Sequence, residues 1–290
     1  MKLIESYFYL FNEIKLITNN KIESEAETEL IFASLKFKKY FGKSLDKIDI
    51  FGKNSDLELN NEIISHFNEI LKIRANGIPI QYILDEAWFY GHRFHVYENN
   101  NIKSLIPRNE TEIIVESLLE EIKNNESKKI TAIDIGAGSC CIPISVALNT
   151  NKDIYFDAIE PYSFDIANKN VYKYELSDHI GLHKIGIDEV FDIFKKKYDY
   201  VTANLPYISE KNNIAELKFE PKKALYANDN GLGYIKKLIK ILPEIIVKNG
   251  YAFIEIDPSQ TCYFKSLNYF TVEIKKDLNN LDRMALLKLK

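Results

Sequence analysis

The chain has 290 residues, 46% of them apolar, with 38 Lys plus Arg against 42 Asp plus Glu and a formal net charge of −4. That is an ordinary composition for a globular protein of one or two domains; its core needs no disulfide or metal staples, and its acidic balance argues against coating nucleic acid by bulk electrostatics. No run approaches 18 apolar residues, no signal-peptide pattern opens the chain, and Cys140, Cys141 and Cys262 spell neither a disulfide framework nor a zinc knuckle, so a reduced, cytoplasmic protein is expected.

Helical-period runs at 26–40 and 62–75, separated by polar turns such as 52–56, predict a small helical domain over residues 1–80. Residues 81–84, 88–90 and 93–97 are β-branched and aromatic, with Gly91 between the last two, and predict a bridging β-hairpin over 81–106. From 107 to 290 strand and helix patterns alternate. Asn109-Glu110-Thr111-Glu112 reads as a capping box opening a helix to about residue 124. Strands are predicted at 130–135, 154–160, 182–187, 198–203, 251–256, 271–275 and 285–289, and helices at 142–148, 163–175 and 232–247. The alternation predicts an α/β domain whose mostly parallel sheet is covered on both faces. Only residues 277–283 separate the last two strands, too few for a crossover, so that pair is expected antiparallel.

The predicted strand 130–135 ends in Asp134-Ile135-Gly136-Ala137-Gly138, and a helix follows. Glycines there allow a tight turn and close approach of a ligand to the backbone. Glu160 ends the next strand, where a carboxylate accepts hydrogen bonds from a ribose diol. Cys141 occupies the third position of a dinucleotide glycine fingerprint, and Asp134 would repel a pyrophosphate. A cationic methionine moiety suits that carboxylate, which points to S-adenosyl-L-methionine.

The strand 198–203 runs into Asn204-Leu205-Pro206-Tyr207. Asn204 offers a carbonyl acceptor, Pro206 stiffens the turn, and Tyr207 offers a flat face. The Asn204 side chain and a neighbouring backbone carbonyl could hold an NH2 group with its nitrogen aimed at a methyl donor. Such a nitrogen is a poor nucleophile, so catalysis would rest on positioning and desolvation.

With both motifs in place, the chain resembles the HemK/PrmC family, the release factor glutamine methyltransferases, over nearly its whole length. The resemblance is carried by Gln81-Tyr82-Ile83-Leu84, by Pro107-Arg108-Asn109-Glu110-Thr111-Glu112, by the Asn-Leu-Pro-Tyr loop, by Glu220-Pro221 and Gly231-Leu232, and by residues 250–255 with Gln260 and Asp282-Arg283. It implies S-adenosyl-L-methionine-dependent N(5)-methylation of the glutamine amide in the Gly-Gly-Gln loop of peptide chain release factors. It also implies a seven-stranded, Rossmann-like class I methyltransferase sheet with an N-terminal helical domain that helps grip the protein substrate. Carried over by position, Gly136, Ala137, Gly138, Ser139 and Cys140 would line the methionine end of the cofactor, Glu160 would bind the ribose, and Asp188 and Glu189 would lie near the adenine. Asn204 would meet both cofactor and substrate, the Leu205 carbonyl would accept the second substrate N–H, Pro206 would fix the loop, and Tyr207 would pack on the amide plane. The chain departs from the family pattern at Leu205, usually Pro, and at Cys140 and Asp85, usually Gly.

Two other readings stay open. Asn-Leu-Pro-Tyr is also the form seen in ribosomal-RNA adenine dimethyltransferases, so a nucleic-acid (rRNA or DNA) amino-methyltransferase is the alternative; a non-catalytic module that keeps the fold is the other. The acidic net charge and the absence of a basic domain argue against a stable nucleic-acid partner. No membrane partner and a monomeric state are expected. His92 and His95 lack the further ligands a metal site needs, and residues 195–197 read as a solvated basic turn.

Overall fold

The computed structural model of the chain describes residues 1–99, 102–212 and 214–290. Its backbone divides into two compact units, Met1–Glu86 and Ala87–Lys290.

The first unit is helical: α1 (Leu3–Thr18), α2 (Lys21–Ala33), α3 (Leu35–Phe41), α4 (Lys47–Phe51), α5 (Asn61–Arg74) and α6 (Ile80–Leu84). One face of each supplies a shared core that includes Leu3, Leu10, Phe32, Phe37 and Phe67. Asn20 and Asn60 start α2 and α5 by accepting first-turn N–H groups with their side-chain oxygens. The run 26–40, expected as one helix, is two. Ser34 turns extended (φ −65°, ψ 152°) and its hydroxyl donates to the Ile31 carbonyl at 2.8 Å, the local competition with helical bonding to which serine is prone. Residues 81–84, expected as strand, form α6 instead. Pro79 presets the entry at φ −55°, Asp85 closes the turn at φ 53°, and Ile80, Tyr82 and Leu84 are buried, so burial outweighs β-propensity.

In the second unit β1 (Ala87–Phe89) and β2 (His92–Phe94) make the expected hairpin. Its turn residues Tyr90 and Gly91 both have positive φ, as a two-residue hairpin requires. The ribbon β3 (Tyr97–Asn99) and β4 (Ile102–Lys103) follows, then α7 (Glu112–Asn124). The main sheet is built from β5 (Lys129–Ile135), β6 (Asp153–Ile159), β7 (Ile180–His183), β8 (Tyr198–Ala203), β11 (Ile246–Glu255), β12 (Phe270–Lys276) and β13 (Asp282–Leu289). The short strands β9 (Ile208–Ser209) and β10 (Tyr226–Ala227) pair outside it. Its spatial order is β12-β13-β11-β8-β5-β6-β7. β13 lies antiparallel between β11 and β12, and the other pairings are parallel. The expected seven-stranded α/β architecture is the one observed.

Both faces of the sheet are buried, which explains the nearly continuous apolar runs of its strands. Ile130 and Ala132 of β5 pack with α7, α8 (Cys141–Leu148) and α9 (Phe164–Lys173). Ile133 and Ile135 pack with α10 (Ile187–Ile193), α12 (Gly233–Ile245) and α13 (Thr261–Lys265). Before these last two helices comes α11 (Lys222–Leu225). The strand expected at 182–187 stops at His183, because Gly186 opens α10 by donating its amide to the Glu189 carboxylate at 2.8 Å.

Candidate active site

From β5 the chain proceeds to β6 on one side, and β8 leads to β11 on the other. The carboxyl ends of β5 and β8 therefore open a crevice at a topological switch point, where open α/β sheets bind ligands. Ile135 pairs with Ala203, so the two motif loops start side by side. A cavity there is walled by Gly136, Ala137, Gly138 and Ser139 from one loop and by Asn204, Leu205 and Pro206 from the other. Glu160, Cys141 and Asp188 also reach it.

The first loop is shaped by its backbone. The Gly136 and Ala137 amides both donate to the Ile159 carbonyl, at 3.0 and 2.9 Å. Gly136 has φ 81°, and a Cβ there would stand 3.1 Å from Leu205 Cδ2. The dihedral favours glycine, and a Cβ would also crowd the Leu205 side chain, whose terminal methyl would have to give by a few tenths of an ångström. Glu160 is buried and holds the loop from the other side. It accepts the Gly138 amide at 2.7 Å and the Tyr162 and Ser163 amides at 2.7 and 2.8 Å. Cys140 adopts φ 65°, and that left-handed turn carries it into the core beneath the loop. Cys141, not Cys140, lies on the cavity wall. Burial pushes both thiols up, Cys141 to about 12, so neither is a nucleophile near neutral pH.

The second loop is held by side chains. Asn204 Nδ2 donates to Thr111 Oγ1 at 3.0 Å, and Thr111 Oγ1 donates to Glu255 Oε2 at 2.6 Å. Tyr207 donates its hydroxyl to Glu255 Oε1 at 3.0 Å. Burial pushes the Glu255 carboxyl up, opposed by the Thr111 and Tyr207 hydrogen bonds and the Arg283 charge. The Tyr207 phenol is pushed up by burial and by the neighbouring carboxylate. Tyr207 does not reach the cavity wall; its bond to Glu255 draws it behind the loop. Glu189 is likewise off the wall, spent as the cap of α10. Asp188 is on the wall and pairs with Lys237 at 2.6 Å.

The motif before α7 works differently from its expected capping box. Residues 109–111 form a 3₁₀ turn, and α7 opens without a side-chain cap. Arg108 instead pairs with Glu220, which also accepts the Ile106 amide at 3.3 Å. Thr111 serves Glu255, and Glu112 accepts the Tyr90 amide at 2.7 Å. Three side chains of one motif tie three separate segments to the start of one helix. Further cavity wall, from Lys103, Ser104, Leu105 and Pro107 and from Pro221, Lys223 and Ala224, is joined by the Arg108–Glu220 pair. No local pattern in the sequence points to Thr111 and Glu255 as partners, since they lie 144 residues apart.

The residues present fit a cationic cofactor. Asp134, buried at the end of β5 behind the cavity wall rather than on it, accepts from Thr202 at 2.6 Å through Oδ1, while Oδ2 is buried without a partner. Burial raises its carboxyl to about 7. A buried carboxylate without a counter-charge calls for a proton or a cation, and the ammonium and sulfonium of S-adenosylmethionine carry such charge. Ser139 Oγ is also buried without a hydrogen-bond partner. Among the described residues no cluster of metal ligands is found, and no helix is long and apolar enough to cross a membrane.

A seven-stranded sheet of this order, with a glycine loop, an acidic residue after the second sheet strand and Asn-x-Pro-Tyr after the fourth, defines a class I, Rossmann-like methyltransferase. Among solved structures, the catalytic domain of hMettl16 in complex with MAT2A 3′UTR hairpin 1 shares this fold, with a TM-score of 0.50, 18% identity, and coverage of 76% of this chain and 80% of that one. No protein-family model matches the chain. Curated relatives do. The release factor glutamine methyltransferase of Clostridium botulinum is 31% identical over 254 residues, covering 84% of this chain and 87% of the relative. That of Flavobacterium psychrophilum is 32% identical over 251 residues, covering 83% and 85%. The chain belongs to the release factor glutamine methyltransferase family and is a methyltransferase enzyme.

Proposed function

We propose that the chain transfers a methyl group from S-adenosyl-L-methionine to the side-chain amide nitrogen of the glutamine in the Gly-Gly-Gln loop of a peptide chain release factor. The observation that carries this reading is the orientation of Asn204: its Nδ2 is tied back to Thr111, which leaves Oδ1 as an acceptor on the cavity wall. A glutamine amide offers two N–H donors, one for Asn204 Oδ1 and one for the Leu205 carbonyl. Accepting both would hold the amide plane and aim its nitrogen at the cofactor's methyl carbon.

When bound, the cofactor supplies an electrophilic methyl group on a sulfonium. The protein's part is to place the nitrogen in line and to exclude water. Glu160 would accept a ribose hydroxyl with the one acceptor site its three amide bonds leave, with Asp188 near the adenine. Asp134, under the first loop, would balance the cofactor's positive charge. Pro206 would restrict the loop that carries both acceptors, and Tyr207 would brace that loop through Glu255. In this reading the helical unit grips the protein substrate, and the enzyme works in the cytoplasm beside the translation machinery.

The test is incubation with labelled S-adenosylmethionine and a release factor, beside a Gly-Gly-Ala version of that factor and ribosomal RNA. Label on the glutamine-containing factor alone is the expected result. Label on RNA with none on the factor would overturn the reading in favour of a nucleic-acid amino-methyltransferase.

A further inference from the structure

An asparagine side chain has nearly the same shape at both ends, yet its ends have opposite hydrogen-bonding character. Flipped, Asn204 would turn its NH2 toward the substrate's NH2, donor against donor. Something must therefore fix the orientation, and packing cannot. We propose that Glu255, acting through Thr111, sets the polarity of a three-member relay that fixes which end of the Asn204 amide faces the substrate. The proposal rests on the methyltransferase reading above and adds two positioning residues to it.

The argument follows the protons. Glu255 lies at the end of β11 with 1% exposure, and Thr111, which lines the cavity, is 2% exposed, so little water reaches the contact between them. An ionised carboxylate only accepts. When ionised, Glu255 accepts one hydrogen bond from Tyr207 and one from Thr111. A threonine hydroxyl has a single proton; once Glu255 holds it, Thr111 Oγ1 can only accept. Asn204 must then present Nδ2 to Thr111, as it does at 3.0 Å, and Oδ1 is left for the cavity. A flipped Asn204 would set Oδ1 against a hydroxyl that has no proton to offer, leaving buried groups unpaired.

Removing the charge removes the polarity. Glu255→Gln keeps the shape but can donate to Thr111, which frees the hydroxyl proton to turn toward Asn204 and lets the amide flip. Protonation of Glu255 does the same. The groups facing it are Thr111, Tyr207, Arg283 and Glu110. Arg283 favours its ionised form, while burial and Glu110 oppose that form.

The experiment compares wild type with Thr111→Val, Thr111→Ser and Glu255→Gln. Single-turnover methylation at saturating cofactor and substrate is measured, together with the cofactor dissociation constant by calorimetry. Thr111→Val and Glu255→Gln are expected to lower the rate at least tenfold while cofactor affinity stays within twofold. Thr111→Ser, which keeps the hydroxyl, is expected to recover most of the rate. A Thr111→Val rate within twofold of wild type, or Thr111→Ser as slow as Thr111→Val, overturns the relay. Failure of wild type itself to methylate a glutamine substrate sinks the functional reading instead. The relay then stands on a second readout that needs no substrate. Exchange of the Asn204 side-chain amide protons, followed in asparagine-labelled protein, should be at least tenfold faster in Thr111→Val than in wild type or Thr111→Ser. Equal exchange in all three refutes the relay.

Discussion

The loops after β5 and β8 meet at one cavity and are built on opposite plans. The β5 loop takes its shape from glycine dihedrals and main-chain amides, with one buried carboxylate, Glu160, gathering three N–H groups. The β8 loop is held by side chains from distant segments: Thr111, Glu255, and Gln260, whose Nε2 donates to the Tyr207 and Gly231 carbonyls at 3.4 and 3.1 Å. The difference suits the two tasks. In the proposed function, a cofactor with many polar atoms would be met by a concave run of backbone. An amide with two hydrogens needs a pair of acceptors at fixed angles, and rigid placement of that pair needs bracing from outside the loop.

If the plans differ in this way, damage to each loop should read out differently. Asn204→Ala is expected to lower methyl transfer about 10³-fold, the scale of losing one positioned transition-state contact. Its melting temperature should stay close to wild type and its cofactor affinity should fall far less than the rate; a loss of cofactor binding as large as the loss of rate would break the contrast.

Asp134 sharpens the contrast through pH. Its carboxyl, ordinarily near 3.8, is raised by burial to about 7, so between those values the folded chain holds a proton that the unfolded chain has released. Its contribution to stability is complete below about pH 4 and is lost as pH rises through about 7, on the order of 4 kcal/mol in all. Denaturant melts of Asp134→Asn across pH 4–8 should lack that slope. An unchanged slope would assign the pH dependence to another group.

Glu160→Ala unpairs three amides at once and should destabilise the fold by about 3 kcal/mol, with cofactor affinity at least tenfold weaker by calorimetry. Here stability and binding fall together, unlike at Asn204. Gly231 backs the second loop at φ 87°, and a Cβ there would lie 2.0 Å from the Tyr207 carbonyl oxygen. Gly231→Ala should destabilise by about 2 kcal/mol and slow turnover more than it weakens cofactor binding. The smallest effect is at Cys140, where glycine relieves a left-handed residue but empties a fully buried site, so Cys140→Gly should leave stability within about 1 kcal/mol of wild type. A larger loss in that variant would mean that the thiol's packing outweighs its backbone strain.

What could be read from the chain follows from how local each signal is. The sheet strands announce themselves because parallel strands buried on two faces are uninterrupted apolar runs, as at 130–135. Gly136, Glu160 and Asn204 are legible because each sits at a strand end, where composition changes abruptly. The break at Ser34 and the helix at 80–84 were hidden, since each turns on a single residue's dihedral and on burial. Glu189 and its neighbour Asp188 divide between local and tertiary roles: Glu189 caps α10 from three residues away, a contact of capping-box spacing, whereas only the tertiary fold puts Asp188 on the cavity wall. Thr111 stood within a legible motif, but its partner lies on another strand far along the chain, and no spacing rule reports a contact of that kind.

The turn that leads into α7 carries a consequence for cooperativity. Arg108, Thr111 and Glu112 bind Glu220, Glu255 and the Tyr90 amide within a span of five residues. The hairpin turn, the cavity wall next to Glu220 and the end of β11 therefore share one anchorage. Segments joined in this way open together, so their native-state fluctuations belong to a single partial unfolding event. Paired substitutions among the five side chains will not add: the first to loosen the turn weakens the other two attachments, and the second finds less left to lose.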